Sequence, residues 1–345
     1  MLISDFDFDL PPERIAQEPL PERDASRLLV LDRRTGQTQH RAFRDLPDLL
    51  APGDLVVFNR SRVIPARLLG RRAKGGEAEI LLVRDRGEGK WEAMVRPGRH
   101  LRPGQRVTID DDFSVVIETE ALAEDGRRRV CLISRRRDVP GALERCGHVP
   151  LPPYVRRPDR PEDRERYQTV YAREPGSIAA PTAGLHFTPA ILERLGERGI
   201  ATAEVVLHVG PGTFRPVSVA DVAEHRLPPE AFSVPPETAA AVAAARERGG
   251  RVVAVGTTSV RTLEASAAAT GVVTAGAGET ALVVVPGHRF RVVDALVTNF
   301  HLPRSSLLLL VSAFAGREKV LAAYAEAIRA GYRFYSYGDA MLISS

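Results

Sequence analysis

From Ser177 onward, segments with helical spacing alternate with short apolar segments of strand length. The first helix is predicted over residues 188–198, because Thr followed by Pro is typical of an N-cap and a first helical position. Gly199 is the expected helix stop, and a strand over residues 202–208 is expected next. Strands that alternate with helices of this length indicate an α/β layer whose strand ends open onto loops.

The same alternation returns further along the chain. A helix is predicted over residues 237–248, a strand over 251–255 and another helix over 318–330. Glycines follow both helices, as expected at helix C-termini. The second half of the chain is therefore predicted to be one α/β body.

An earlier segment, from about Asp54 to Ser134, has a different pattern. Short apolar runs are broken by glycine or charged turns at intervals of about 8 to 12 residues, which predicts a small β-barrel or sandwich. Residues 149–168 are rich in proline and charge and are interpreted as the connection back to the α/β body. The predicted fold is an α/β domain of residues 1–60 and 150–345 with a β-barrel domain of residues 61–149 inserted in it.

Composition limits the class of protein. A chain of 345 residues with 44% hydrophobic content can bury a substantial core. The longest apolar run, residues 306–314, is half of the roughly 18 residues that a membrane helix needs. The N-terminus lacks the layout of a signal peptide, so a cytoplasmic protein is expected. Cys131 and Cys146 lack metal-ligand spacing, which argues against a zinc site or a disulfide framework.

The basic residues are unevenly distributed. Residues 60–166 contain 25 Lys and Arg against 18 Asp and Glu, within a chain of net charge +4. Arginine clusters such as 135–137 and 156–157 suit phosphate contacts, but a solvated surface explains such runs equally well. The candidates for nucleic-acid contact are Arg135, Arg136, Arg137, Arg156 and Arg157.

Four strings of glycine and polar residues lie at the ends of predicted strands, where side chains converge on ligands in α/β folds. In one of them, Gly256 leads into a helix opened by Thr257, Thr258 and Ser259, so backbone N–H groups at the positive end of the helix dipole suit a carboxylate or phosphate. The guanidinium group of Arg261 suits two hydrogen bonds to the same anion, although a plain capped helix is the simpler interpretation of this segment. The strings are AAPTAGLHFT (179–188), LHVGPGTF (207–214), VGTTSVRTLEAS (255–266) and TNFHLPRSSL (298–307).

Three histidines, His186, His208 and His301, lie inside these strings. Imidazole is the side chain best suited to proton transfer near neutral pH. Each one taken alone is more often a structural group, but three at convergent loop positions favour a functional set. Their spacing is not that of zinc ligands, and no metal site is predicted.

At these strings the chain resembles the S-adenosylmethionine:tRNA ribosyltransferase-isomerase family of queuosine biosynthesis. The resemblance extends nearly end to end, with the segments in the family's order. It also covers DFDFDLPPERIAQEPLPERDASRLL near the N-terminus, VIPARLLGRRAKGGEAEILL in the barrel, PLPPY with RYQTVYA, and YRFYSYGDAMLI near the C-terminus.

The resemblance implies transfer and isomerisation of the ribosyl part of S-adenosylmethionine onto 7-aminomethyl-7-deazaguanine at the wobble position of tRNA. The products would be epoxyqueuosine in tRNA, adenine and methionine. S-adenosylmethionine is then a substrate and no bound cofactor is expected. The implied partner is tRNA, with no membrane and no obligate protein partner, and a monomer is expected.

The resemblance also implies which residues form the site. His186, His208 and His301 are the implied proton-handling set, and Asp24, Arg27 and Arg67 are equally well explained as an internal salt-bridge network. Base and acid are not assigned individually. The implied substrate contacts are Asp24, Arg27, Asn59, Arg62, Arg67, Thr182, Gly184, Thr213, Thr257, Thr258, Ser259, Arg261 and Asn299.

Two departures from the family pattern are present. Pro228 stands where the family commonly has the second histidine of an H-x-x-H-x-E run, while His225 and Glu230 remain. In the segment 59–63, Asn59 and Arg62 match the family, but the acidic residue between them is missing. A general catalytic role for the second histidine is therefore in doubt.

Two other classes of function stay open from the residues alone. A methyltransferase that uses S-adenosylmethionine should show an acidic, glycine-rich loop after its first strand, and none is visible. A non-catalytic RNA-binding protein should interleave aromatic and basic residues on the barrel strands. The barrel segment has few aromatic residues besides Trp91 and Phe113, which counts against base stacking there.

Overall fold

The computed structural model describes residues 1–122, 126–214 and 217–345, except for the side chains of residues 213 and 214. The strands are β1 (Arg27–Asp32), β2 (Thr38–Ala42), β3 (Leu55–Asn59), β4 (Ser61–Val63), β5 (Arg67–Arg72), β6 (Glu77–Asp85), β7 (Lys90–Arg96), β8 (Arg106–Thr108), β9 (Phe113–Ile117), β10 (Arg128–Ser134), β11 (Glu174–Ser177), β12 (Ala201–Leu207), β13 (Glu230–Val234), β14 (Val252–Val255), β15 (Gly276–Thr280), β16 (Ala295–Asn299) and β17 (Ala340–Ser344). The α-helices are α1 (Val139–Cys146), α2 (Asp163–Arg166), α3 (Pro189–Glu197), α4 (Pro236–Glu247), α5 (Gly256–Ser266), α6 (Ser306–Ala315) and α7 (Arg317–Arg329).

Helix boundaries follow the sequence signals. The Thr188 side chain accepts a hydrogen bond from the backbone of Ile191 at 3.2 Å and caps α3. Gly199 ends the segment with φ of +69°, a conformation that costs glycine little. The predictions of helices at α3, α4 and α7 and of strands at β12 and β14 are confirmed.

Nine strands form one sheet in the order β15-β13-β12-β3-β14-β16-β17-β1-β2. Its central strands β12, β3, β14 and β16 are parallel to one another. Along β3, Leu55 and Val57 belong to the hydrophobic cluster on one face, and Val56 and Phe58 to the cluster on the other. Successive side chains of a strand point to opposite faces of the sheet, so these two clusters cover both faces.

β3 corrects one sequence interpretation. The run that begins at Asp54 was grouped with the barrel-like segment, but β3 lies in the middle of the large sheet. All five residues of β3 are buried, as expected for a strand covered on both faces. The barrel strand β6 instead alternates buried and more exposed positions.

The inserted barrel is closed and antiparallel, with strand order β10-β7-β6-β5-β8-β9. Side chains such as Leu68, Ile80 and Val115 fill its interior and are fully buried. The strands β4 and β11, where the chain enters and leaves this region, pair with each other in parallel. The predicted fold class, α/β with an inserted β-barrel, is confirmed, whereas the domain boundaries stay a prediction.

The topology gathers chain segments at one edge of the large sheet. The carboxyl ends of β3, β12, β14 and β16 meet there because these strands are parallel. β17 runs antiparallel to β16, with Asn299 opposite Ala340, and β1 runs parallel to β17. The N-terminal ends of β17 and β1 therefore reach the same edge. Within the described residues, no helix is both long and apolar enough to cross a membrane.

Candidate active site

A cleft lies at this edge, between the ends of β14 and β16 and a 3₁₀ turn at Thr182–His186. Its cavity is narrow, about 70 Å³ in volume. The polar residues that line it include Thr182, Thr257, Thr258, Asn299, His301 and Ser305.

His301 faces this cleft and is buried. Its Nε2 lies 2.8 Å from the Thr298 hydroxyl, and its backbone N–H donates to the Tyr324 hydroxyl at 3.0 Å. Burial lowers the pKa of His301 to about 3, so the imidazole is neutral at pH 7. Within the described part of the chain, its Nδ1 forms no hydrogen bond with the protein and is open to a ligand.

His186 lies behind the cleft and is held at both ring nitrogens. Its Nδ1 lies 2.7 Å from Ser26 Oγ, and its Nε2 lies 3.1 Å from Asn299 Nδ2. Burial and then the charges of Arg333 and Arg23 lower the pKa of His186 to about 3. An amide N–H only donates, so Nε2 accepts and Nδ1 carries the proton. His186 therefore orients Asn299 and does not itself line the cleft.

Two buried polar atoms of the cleft residues have no hydrogen-bond partner among the described residues. They are Asn299 Oδ1 and Thr258 Oγ1, on side chains that are 2% and 8% exposed. Leaving a buried polar atom unpaired costs about 1 to 3 kcal/mol. Such atoms at a cleft are typical of a site that a polar ligand completes.

The N-terminus of α5 opens onto the cleft through Gly256, Thr257 and Thr258. The first N–H groups of a helix have no partner within it and attract anions. The geometry gives no support to the expected substrate contact by Ser259, whose Oγ donates to the Val255 carbonyl at 2.8 Å. Ser259 is fully buried and does not line the cleft.

Two tyrosines close one side of the cleft. The rings of Tyr154 and Tyr335 pack with centroids 4.2 Å apart and an interplanar angle of 40°. Tyr335 has φ of +74°, which is strained for an aromatic residue. Its backbone is held by Asn299, which donates to the Tyr335 carbonyl at 3.0 Å, and by Phe300, whose carbonyl accepts its N–H at 3.1 Å.

A second, wider cavity lies between the barrel and the sheet, and is called the groove below. Its volume is about 850 Å³. Its lining includes Arg84 and Trp91 from the barrel, Leu143 and Glu144 from α1, and His208 and Gly210 from the end of β12.

His208 lies in the groove and not in the cleft. Its ring packs against Gly176, its Nδ1 has no partner among the described residues, and burial lowers its pKa. The neighbouring Val209 lines the cleft, while His208 and Gly210 line the groove. This extended segment is therefore a wall shared by the two cavities, with side chains alternating between them.

The chain is similar to known proteins along nearly its whole length. The family described as queuosine biosynthesis protein matches residues 3–343. The chain belongs to this family. The S-adenosylmethionine:tRNA ribosyltransferase-isomerase of Anaeromyxobacter sp. strain Fw109-5 is 57% identical over 100% of this chain and 99% of its own. The protein of the same name from Pelobacter propionicus is 53% identical over 99% and 100%.

The queuosine family also supplies a solved structure. The crystal structure of S-adenosylmethionine tRNA ribosyltransferase from Thermotoga maritima is 43% identical, covers 98% of this chain and 99% of its own, and gives a TM-score of 0.56. The protein is thus an enzyme of the transferase class, as its sequence predicts. None of these comparisons assigns a role to any residue of the site.

Two residues implied by the queuosine family hold the backbone together. Asn59 Nδ2 donates to the Leu207 carbonyl at 3.0 Å, and its Oδ1 accepts from the backbone of Leu207 and Ser61, both at 3.1 Å. At Gly184 a Cβ atom would lie 2.0 Å from the Tyr171 hydroxyl, so only glycine fits. Both residues shape the edge of the sheet, and a direct substrate contact by either stays a prediction.

Arg261 is buried away from the cleft in an ion pair with Glu230. Its Nε donates to the Leu282 carbonyl at 3.0 Å. Glu230 also accepts the backbone N–H of Gly210 at 2.7 Å, so the pair ties α5 to the shared wall. The geometry gives no support to the expected contact between Arg261 and a substrate anion.

Four further family-implied residues lie outside the cleft. Arg27 packs over the Tyr332 ring at 3.7 Å, and Arg67 pairs with Glu79 in the barrel at 2.9 Å. Asp24 lies in a 3₁₀ turn before β1, and Arg62 is exposed on β4. The side chain of Thr213 lies outside the described residues.

The arginines expected to contact tRNA differ in their exposure and in whether their side chains are already paired. Arg135, Arg136 and Arg137 are exposed on the turn that precedes α1, which lines the groove. Arg156 is also exposed. Arg157 instead donates to both carboxylate oxygens of Asp163, at 2.7 and 2.9 Å, so its guanidinium group is already paired.

Three residues of the site were not singled out from the sequence. Tyr154, Tyr335 and Ser26 lie within strings typical of the queuosine family, PLPPY, YRFYSYGD and DASRLL. The strings themselves were the available signal. Within the described residues, no group of three or more His, Cys, Asp or Glu side chains is arranged to hold a metal ion.

Proposed function

We propose that this enzyme transfers the ribosyl part of S-adenosylmethionine onto the aminomethyl group of 7-aminomethyl-7-deazaguanine at the wobble position of tRNA. Isomerisation of the ribosyl unit gives epoxyqueuosine in the tRNA. Adenine and methionine leave, methionine with both electrons of the broken bond between carbon and sulfur. Membership of the queuosine family supports the class of reaction, and the two cavities support the pair of substrates.

One observation carries the proposal: a neutral, buried imidazole and the N-terminus of α5 line the same narrow cleft. The N–H groups of α5 suit the carboxylate of the methionyl unit. His301 lies on the adjacent strand end, at β16, where the reacting ribosyl carbon would be placed. Both groups are fixed before the ligand arrives, which reduces the reorganisation needed during the reaction.

The chemistry requires proton transfer without a permanently charged group. The sulfonium makes the neighbouring C5′ protons acidic, the departing adenine takes up a proton, and the aminomethyl nucleophile must be neutral to attack. His301 is uncharged at pH 7, because burial keeps its pKa near 3, so it has one ring N–H and one ring nitrogen that can accept a proton. Its Nδ1 therefore accepts a proton only transiently and passes it on.

The tRNA is proposed to enter by the groove. The groove is about twelve times larger than the cleft, 850 against 70 Å³, and the exposed Arg135–Arg137 turn leads into the helix that lines it. The wall that carries His208 and Val209 separates the two cavities. His208 then faces the modified nucleoside, and His301 faces the sulfonium nucleoside.

The products distinguish this function from methyl transfer and from simple RNA binding. The enzyme is incubated with S-adenosylmethionine labelled in the adenine and in the methionine, together with tRNA that carries the deazaguanine precursor. We expect free adenine and free methionine in equal amounts, each dependent on the tRNA. S-adenosylhomocysteine as product would indicate a methyltransferase, and unchanged S-adenosylmethionine would favour a binding protein.

A further inference from the structure

We propose that the cleft recognises an adenine base through Asn299, which accepts a hydrogen bond from the 6-amino group and so selects against 6-oxo purines. The identity of the nucleoside rests on the proposed function. The selection itself rests on the hydrogen-bonding atoms that the cleft presents.

The orientation of the Asn299 amide is fixed by its neighbours. Its Nδ2 donates to the Tyr335 carbonyl at 3.0 Å and to His186 Nε2 at 3.1 Å. A backbone carbonyl only accepts, so the nitrogen side of the amide must face Tyr335. The oxygen is left as a buried acceptor with no partner among the described residues. A ligand that satisfies Asn299 must therefore bring a donor.

A second unpaired polar atom lines the same cleft. Thr258 is the third residue of α5, and its buried hydroxyl has no partner in the described part of the chain. It belongs to the helix end proposed to hold the methionyl carboxylate, so Asn299 alone is assigned to the base.

Adenine presents the complementary edge. Its 6-amino group is a donor, and the oxygen of an asparagine or glutamine amide accepts from this group when these residues read adenine in DNA. A 6-oxo purine places an oxygen where the amino group would be. Two acceptors would then face each other in a buried site, and the hydrogen bond to Asn299 would be lost.

The aromatic side of the cleft suits a flat base. Tyr154 and Tyr335 line the cleft together with Asn299 and pack against each other. Bases stack on tyrosine rings without regard to sequence.

Binding of free bases to the full chain tests this directly. Adenine, purine and hypoxanthine are titrated by calorimetry in the absence of tRNA. We expect purine, which lacks the amino group, to bind about tenfold or more weakly than adenine, and hypoxanthine to bind about a hundredfold more weakly. Adenine and purine of equal affinity, or no binding of adenine at millimolar concentration, would overturn the proposal.

One variant locates the selection within the cleft. Asn299→Ala should bring adenine and purine to within about twofold of each other. A persisting tenfold preference for adenine in the Asn299→Ala protein would assign the selection to another group. The wild-type series does not depend on any variant folding.

The two proposals fail separately. S-adenosylhomocysteine in the product assay would remove ribosyl transfer and leave adenine selection standing, because a methyltransferase also binds adenosyl groups. Equal binding of adenine and purine would remove the selection by Asn299 and leave ribosyl transfer unaffected.

Discussion

The cleft and the groove are built in opposite ways although they share one wall. The cleft is narrow, and its polar side chains are buried, uncharged and partly unpaired. The groove is wide and includes charged residues such as Arg84 and Glu144. A small, dry site strengthens electrostatic interactions with a bound molecule, whereas an open, charged site suits a large, hydrated partner. The difference indicates a cavity for each substrate.

The largest expected effect concerns His301 in the cleft. Replacing it by alanine should lower the rate of adenine release by about 10² to 10⁴, because proton transfer loses its positioned group. Single-turnover assays at saturating substrates measure this loss. His100→Ala, at an exposed position in the barrel, is the control and should match the wild type. A loss below about tenfold for His301→Ala would make His301 a structural residue and would weaken the assignment of chemistry to the cleft.

Stability against acid should depend on two buried histidines, His186 and His301. The folded protein keeps the pKa of His186 and of His301 near 3, below the 6.5 of an unfolded chain. Each one therefore contributes stability that is fully present above about pH 6.5 and is lost as the pH falls toward 3, by about 1.4 kcal/mol per pH unit. Urea unfolding between pH 7.5 and 5 measures this.

The His301→Gln protein supplies the matched control for that titration. Its free energy of unfolding should fall less steeply between pH 6 and 5 than that of the wild type, because one buried imidazole is gone. Identical slopes would mean that His301 is accessible to protons and that the cleft is wetter than its burial indicates.

Removing the exposed arginines beside the groove should weaken tRNA binding. Replacing Arg135, Arg136 and Arg137 by alanine should weaken tRNA binding about tenfold and reduce the salt dependence of binding by up to about two units of slope. Filter binding at several salt concentrations measures both. The control replaces Arg198 and Arg248, which follow α3 and α4 at the opposite edge of the sheet, and it should change neither. An unchanged slope in the first variant would remove this turn from the interface.

The smallest expected effect is spectroscopic. Trp91 is the single tryptophan of the chain and lies where the barrel core meets the groove, so its fluorescence reports on the barrel side of that cavity. Addition of tRNA should change its emission, while S-adenosylmethionine should change it by a few per cent at most. A large change with S-adenosylmethionine would place the small substrate in the groove and reverse the assignment of the two cavities.

The sequence predicted most of the framework. Strand ends, helix caps and the convergence of Thr182, Thr258, Asn299 and His301 follow from local signals and from the rule that parallel strands open at one edge. The position of β3 was misread because a short apolar run does not reveal whether one or both of its faces are covered.

The remaining differences depend on contacts between distant segments. Arg261 and Arg157 looked free because Glu230 and Asp163, their partners, are identified only by the fold. His208 and Val209 are neighbours in sequence but face different cavities, which only the extended backbone at that point decides. These ion pairs and side-chain orientations depend on the tertiary structure and are not encoded in any local sequence pattern.

A crystal structure with S-adenosylmethionine bound tests the central claim most directly. The account predicts the methionyl carboxylate at the N-terminus of α5, the sulfonium beside His301, and the adenine between Tyr335 and Asn299. Density for the nucleoside in the groove, beside His208 and Trp91, would contradict it.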